Sequence, residues 1–357
     1  MKLYTPAYYN QFTCIAAACP DSCCKDWAVD IDPDAAAFYR SLPGALGDRL
    51  RAVLQDTEDG TCMAIEHGRC PMWREDGLCR IQAALGHDAL SHTCRTFPRL
   101  RHDYGDFVEL GLELSCPEAA RLILTKDATM TCTQVPGGEA PDYEEDTMQI
   151  LLRSRATALK FLEESSYAVN ETLAILLLYA HSVQAQLDGG EEAVLSAADD
   201  LADARRYATA GDMAQLLDFF KNLEILTPHW LDRLNTACHC QERSHVTIRP
   251  SCHCEERSDV AIRSPWTDQH LALFRYFVNR YWLQAVSDYD LIGRVKFSVT
   301  ACILIRSLGG DLVQTAQAFS KEIENDPDNV DRILDGAYTS PALTDVQLLS
   351  LLLSPNI

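Results

Sequence analysis

Of the fifteen cysteines in this 357-residue chain, Cys14, Cys19, Cys23, Cys24, Cys62, Cys70, Cys79, Cys94, Cys116 and Cys132 all precede residue 133, and the next is Cys238. What such a cluster does depends on the redox compartment. The chain opens Met1-Lys2-Leu3-Tyr4-Thr5-Pro6 and is polar by Asn10, without the apolar stretch of a secretory signal. Thr172 to Ala180 is the longest apolar run. It falls well short of the roughly 18 residues of a membrane span and reads as a buried helix. The expected location is therefore the cytoplasm. Thiols there stay reduced, and clustered cysteines are metal ligands or redox groups. A cysteine-ligated metal centre is expected in the first 120 residues.

Thiolates select zinc, copper(I) or iron–sulfur clusters, and four of them suit zinc or a cubane cluster on ligand count alone. Four residues separate Cys14 from Cys19, three separate Cys19 from Cys23, and Cys24 is adjacent. The Cys-x2-Cys hairpin of zinc knuckles is missing from the first half, which turns the reading toward iron–sulfur. Adjacent cysteines rarely share an ion because their side chains diverge, so one of Cys23 and Cys24 serves elsewhere. The Cys-x3-Cys-x2-Cys loop of radical S-adenosylmethionine chemistry fails at Asp26. Cys70-Pro71 and Cys116-Pro117 each join cysteine to proline. Pro117-Glu118-Ala119-Ala120-Arg121-Leu122 reads as a helix start with proline at its first position. That puts Cys116 at the N-cap, where backbone N–H groups favour a thiolate.

The chain carries 31 basic and 52 acidic residues, a net charge of −21. This disfavours nucleic acid and anionic membrane as partners and suits a cationic partner such as a lysine-bearing protein, although acidity also serves solubility. Three regions are expected. Residues 1–132 form a cysteine-rich metal domain of short helices and long ordered loops. Residues 133–146 form an acidic linker. Residues 147–357 form a helical domain. The expected fold is mainly α, with the metal-binding region packed on a C-terminal helical bundle. Leu151, Leu152, Leu159 and Leu162 show helical spacing. Further helices are expected over Glu171–Leu187, Ala197–Ala208, Met213–Leu226 (stopped by Thr227-Pro228), Gln269–Val286, Leu291–Leu308 (capped by Gly309-Gly310), Leu312–Ile323 and Thr344–Leu353. Strand signals are scarce, and Asp106–Leu114 is the best of them.

One segment imitates a second metal site. Cys238-His239-Cys240-Gln241-Glu242-Arg243-Ser244 recurs 14 residues later as Cys252-His253-Cys254-Glu255-Glu256-Arg257-Ser258. Two copies of a polar unit have no apolar face to bury and cannot stack as a structural repeat. Residues 238–265 read as a translated intergenic repeat inserted as a dispensable surface loop.

Several motifs in order resemble the flagellin lysine-N-methylases. They are Phe12-Thr13-Cys14, Ala18-Cys19-Pro20-Asp21-Ser22-Cys23-Cys24-Lys25-Asp26-Trp27, Gly68-Arg69-Cys70-Pro71-Met72 and Gly77-Leu78-Cys79-Arg80-Ile81-Gln82. Leu90-Ser91-His92-Thr93-Cys94-Arg95-Thr96-Phe97-Pro98-Arg99 and Leu114-Ser115-Cys116-Pro117-Glu118-Ala119-Ala120-Arg121 continue the series. Tyr276-Phe277 to Arg280-Tyr281 and Asp288-Tyr289-Asp290 to Lys296 resemble that family's helical half. The first half also resembles the cysteine-cluster proteins described as zinc- or iron-chelating. The resemblance implies methyl transfer to surface lysines of flagellin, S-adenosylmethionine as donor and an iron–sulfur centre, with [4Fe-4S] ahead of zinc. The cysteines matching the family are Cys14, Cys19, Cys23, Cys24, Cys70, Cys79, Cys94 and Cys116. Eight exceed four ligands, so some are structural or a second metal is present. A non-catalytic iron- or zinc-chelating protein is the alternative function.

Methylation requires a lysine stripped of its proton and held in line with the donor. No Gly-rich strand–helix turn of the usual donor-binding kind occurs. Tyr8 and Tyr104 are the candidate catalytic residues, to accept the lysine proton or cradle the ammonium. Tyr9, Trp27, Asp30, Asp32 and Glu118 are further polar or aromatic candidates near the cysteines. Arg95 and Arg99 flank Cys94 and are candidate cofactor-binding residues, to neutralise a cluster or clasp a carboxylate. Asp290 and Lys296 form a candidate pair, although a spacing of six is poor for one helix face.

Overall fold

The computed structural model describes residues 1–58, 60–244 and 265–353, with the side chains of 238–244 left aside. It is mainly helical. Two compact units divide it. The first holds Met1–Asp103, Phe107–Leu122 and Lys126–Gly137. The second holds Tyr104–Asp106, Ile123–Thr125 and Gly138 onward.

The first unit contains more strand than its sequence suggests. A four-stranded sheet is formed by β1 (Lys2–Pro6), β5 (Arg99–Asp103), β6 (Phe107–Leu112) and β7 (Met130–Gln134), in the order β5-β6-β1-β7. β1 runs parallel to β6, with Leu3 opposite Val108, and antiparallel to β7, with Tyr4 opposite Cys132. A second sheet, in the order β2-β4-β3, joins β2 (Val29–Ile31), β3 (Leu54–Thr57) and β4 (Gly60–Met63). Helices α1 (Pro33–Ser41), α2 (Gly44–Val53), α3 (Arg80–Leu85), α4 (His92–Thr96) and α5 (Pro117–Thr125) complete the set. The anticipated strand at 106–114 is β6. The other strands are short, at five residues or fewer, which leaves little alternation to read; β3–β4 and β5–β6 are local hairpins, while β1 pairs with the distant β6 and β7. Val29, Ile31, Tyr39, Leu50, Met63, Met72 and Ile81 form an apolar core beside the second sheet.

The second unit is a bundle: α6 (Glu145–Glu164), α7 (Val169–Leu187), α8 (Ala197–Tyr207), α9 (Met213–Lys221), α10 (Pro228–Ser244), α11 (Asp268–Tyr281), α12 (Leu291–Leu308), α13 (Leu312–Phe319), α14 (Pro327–Thr339) and α15 (Asp345–Leu353). α12 is buried on nearly every face, as a central helix must be when it is apolar all round. α7, α11, α13, α14 and α15 surround it. Thr172–Ala180 is indeed a buried stretch of helix, with Leu173 to Leu177 fully enclosed. α9 ends at Lys221, capped by Asn222, short of the expected Leu226, and Thr227-Pro228 instead starts α10, with Pro228 at its first position. α14 has no counterpart in the sequence reading. The repeat-like segment lies almost wholly outside the described residues, which retain only the backbone of its beginning as the end of α10.

Asp290 and Lys296 have separate roles. Asp290 caps α12 through Gly293 N–H at 2.8 Å and accepts the Tyr338 hydroxyl. Lys296, 6% exposed, donates to Ala337 O at 2.9 Å and lies 3.3 Å from Asp345. His181 Nε2 contacts the same Asp345 oxygen at 2.9 Å. The matched Tyr276, Arg280 and Tyr281 converge on Glu324, whose carboxylate accepts the Tyr281 hydroxyl at 2.8 Å and lies 3.3 Å from Arg280 Nε. Among the described residues no helix is long and apolar enough to cross a membrane.

Candidate metal centre

All eight family-matching cysteines fall in the first unit, most of them on turns and helix starts. Glu66 and Arg69 exchange both backbone hydrogen bonds around His67-Gly68. Both turn residues have positive φ, as a tight two-residue hairpin turn requires. Lys25 then bridges Arg69, and Cys70 N–H donates to Cys24 O at 2.7 Å. Two cysteines far apart in sequence thereby become strand neighbours. The Cys24 thiol is in hydrogen-bond contact with Cys23 and Cys70. A second bridge, Trp73 with Cys79, brings the start of α3 to the same place. Cys94 arrives on α4, whose N-cap Ser91 accepts the Cys94 N–H. Asp32 pins that helix by accepting His92 N–H at 2.7 Å while capping α1 through Ala35 N–H at 3.0 Å.

Cys24, Cys79 and Cys94 pack against the apolar core that contains Cys70. Cys14, Cys19 and Cys116 form a neighbouring group, close enough for Cys19 and Cys14 to act electrostatically on Cys116. Cys116 is the N-cap of α5 with Pro117 behind it, as the sequence suggests. Cys62 lies in β4, and the exposed Cys132 lies in β7.

Burial resists ionisation of these thiols. It pushes Cys94 up to about 12 and Cys116 up to about 12, the latter against the Ala119 and Glu118 N–H groups at the start of α5. Cys79 and Cys19 are raised for the same first reason. Cys70 goes the other way, down to about 7, because the Cys24 thiol donates to its sulfur and the Met72 and Trp73 N–H groups support it. Cys24, the donor of that pair, is raised. The thiols also oppose one another's charge. A soft cation is what removes both penalties, so the donor set fits a thiophilic metal by its chemistry. Among the described residues no three His, Cys, Asp or Glu side chains already converge on one ion position.

The other sequence candidates are scattered. Tyr8 is 6% exposed and its hydroxyl is raised by burial, which suits packing better than proton acceptance. Tyr104, half-buried between β5 and β6, belongs to the second unit. Arg95 is exposed on α4. Arg99 on β5 lies over the rings of Phe12 and Tyr9, 5.1 and 6.0 Å from their centroids. Glu118 is taken up by both guanidinium arms of Arg121. Sequence reading misses Tyr39, which is 1% exposed. Its hydroxyl donates to Ala89 O at 2.8 Å, and burial first, then Cys94 and more weakly Cys79, raise it. No local motif marks it, because its place beside the thiols is set by packing of α1.

No family model matches the chain, and no solved structure matches it. Curated relatives do. The chain is 36% identical over 135 residues to the flagellar biosynthetic protein FliU of Salmonella muenchen, covering 35% of this chain and 78% of that protein. It is 34% identical over 139 residues to the lysine-N-methylases of Salmonella typhimurium and Salmonella choleraesuis, covering 36% of this chain. The match spans about a third, 34%, of the length of each lysine-N-methylase. An ordered series of cysteine motifs and a relative matched over most of its length agree: the chain belongs to the flagellin lysine-N-methylase family.

Proposed function

We propose that this protein is a protein-lysine N-methyltransferase acting on surface lysines of flagellin. The donor is S-adenosylmethionine, and the first unit holds a thiolate-bound iron–sulfur centre. The observation that carries the reading is the 34% identity to proteins named lysine-N-methylase. The gathering of eight thiols in one unit supports the metal. When bound, the cluster supplies soft positive charge that stabilises thiolates and, where a position is open, a site for amine or carboxylate oxygen. The chain's own residues form the cradle. Cys70 sits buried in it, with the Cys24 thiol donating to its sulfur, and the apolar core beside it excludes water. The net charge of −21 favours approach of a lysine-bearing surface.

Purified, metal-replete protein is expected to transfer labelled methyl from S-adenosylmethionine to flagellin lysines. Metal-bound protein that transfers none would support the chelating alternative, which the thiol grouping alone would satisfy.

A further inference from the structure

The turn at His67-Gly68 folds the chain back so that Lys25 bridges Arg69 in antiparallel register. Cys24 and Cys70, one step out from that bridge, therefore stand opposite each other. Cys70 N–H donates to Cys24 O at 2.7 Å, and on the other side of the bridge Asp26 N–H donates to Gly68 O at 2.9 Å. Opposed residues at such a hydrogen-bonded position present their side chains to the same face, with Cα atoms about 5.5 Å apart. That separation falls inside the roughly 4.4–6.8 Å that a disulfide spans. The two thiols already meet there, since the Cys24 thiol is in hydrogen-bond contact with the Cys70 sulfur. Both cysteines belong to the same apolar cluster.

Cys23 also touches Cys24. Adjacent residues, however, have Cα atoms only about 3.8 Å apart across a trans peptide, short of the disulfide range. Of these two neighbours, Cys70 is the one that Cys24 can bond without strain. Access differs as well. Cys24 is half-buried and Cys70 is buried, so a small oxidant meets Cys24 first and Cys70 completes the bond.

We propose that Cys24 and Cys70 are a modification site, forming a reversible disulfide in the metal-free chain with a low-molecular-weight disulfide such as oxidised glutathione as the oxidant. The Cys24 thiolate attacks one sulfur of the oxidant and releases one glutathione thiolate. The Cys70 thiolate then attacks the Cys24 sulfur and expels the second. Two cysteines lose two electrons, one small disulfide gains them, and the two thiol protons pass to the two glutathiones. The new bond encloses β2, α1, α2, β3 and β4 in one covalent loop. It also removes two thiols that a soft metal would use, so disulfide and metal exclude each other. That exclusion rests on the metal-binding part of the proposed function; the bond itself does not.

The test uses full-length protein that is reduced, freed of metal by a chelator and then exposed to oxidised glutathione. Remaining thiols are alkylated, the chain is digested without reductant, and linked peptides are identified by mass spectrometry. The expected product is a peptide pair joined through Cys24 and Cys70 that separates with dithiothreitol. Cys23→Ser, at an exposed position, is expected to form the same link. Uptake of ferrous iron with sulfide, added anaerobically, is expected to fall severalfold in the oxidised chain and to return on reduction. The proposal is overturned where Cys24 and Cys70 are still alkylated, stay as mixed disulfides with glutathione, or pair chiefly with other cysteines. It is equally overturned where Cys23→Ser loses the link. Equal metal uptake before and after reduction overturns the exclusion. The peptide mapping uses no metal, flagellin or methyl donor, so failure of the proposed function leaves its outcome standing.

Discussion

Asp32 holds the starts of two helices with one carboxylate, bonding Ala35 N–H in α1 and His92 N–H in α4. Those two N–H groups, His92 first, keep its carboxyl below the usual carboxylate range. Its contribution is therefore complete above the ordinary value of about 3.9 and is lost as pH falls through the lower folded value. Asp32→Ala is expected to cost about 1–2 kcal/mol in urea unfolding at neutral pH, and Asp32→Asn less. Equal losses for the two would count against the capping role. His270 predicts acid sensitivity at higher pH. It is 1% exposed. Burial and then Arg306 hold it down at about 4, while its Nδ1 accepts Thr267 N–H. The unfolded chain binds this proton from about 6.5 downward. Stability should thus be intact above that pH and fall toward pH 4, by at most about 1.4 kcal/mol per pH unit. His270→Gln should flatten the stability–pH curve over this window, and an unchanged slope would contradict the assignment.

At the scale of elements, the single-turn π segment Ser320–Glu324 ends in a carboxylate that binds Tyr276, Tyr281 and Arg280 from α11. Glu324→Leu removes the buried carboxylate that Tyr276, Tyr281 and Arg280 share and is expected to cost about 3 kcal/mol in chemical denaturation. A loss below 1 kcal/mol would mean that water or another group replaces it. Helices of this kind were legible because apolar spacing and end signals agree. Asp290 and Gly309 bracket α12 at Leu291–Leu308, as the sequence reading has it. The strands of the first unit were not legible apart from β6. β7, Met130–Gln134, is mostly exposed and pairs with β1 from the opposite end of the unit. Neither strand carries a strong alternation of its own. The Pro117 helix start and Cys116 cap could be read locally. The meeting of Cys24 with Cys70 could not, since it depends on the turn at His67-Gly68 that no spacing rule encodes.

At the scale of the whole molecule, the cysteine-rich unit and the helical bundle make separable demands on the sequence. The eight matching thiols lie in the first unit, and the repeat-like residues 238–265 belong to the second stretch of chain. Deleting 238–265 is expected to leave metal per chain unchanged, and metal loss in the deletion variant would sink the reading of that segment as an inserted repeat. The central proposal is that the first unit holds an iron–sulfur centre on its own thiols. Its most direct test is the iron, acid-labile sulfide and zinc content of anaerobically purified protein. The account predicts iron with matching sulfide and a broad visible absorbance. Stoichiometric zinc without sulfide, or a chain free of metal, would contradict it.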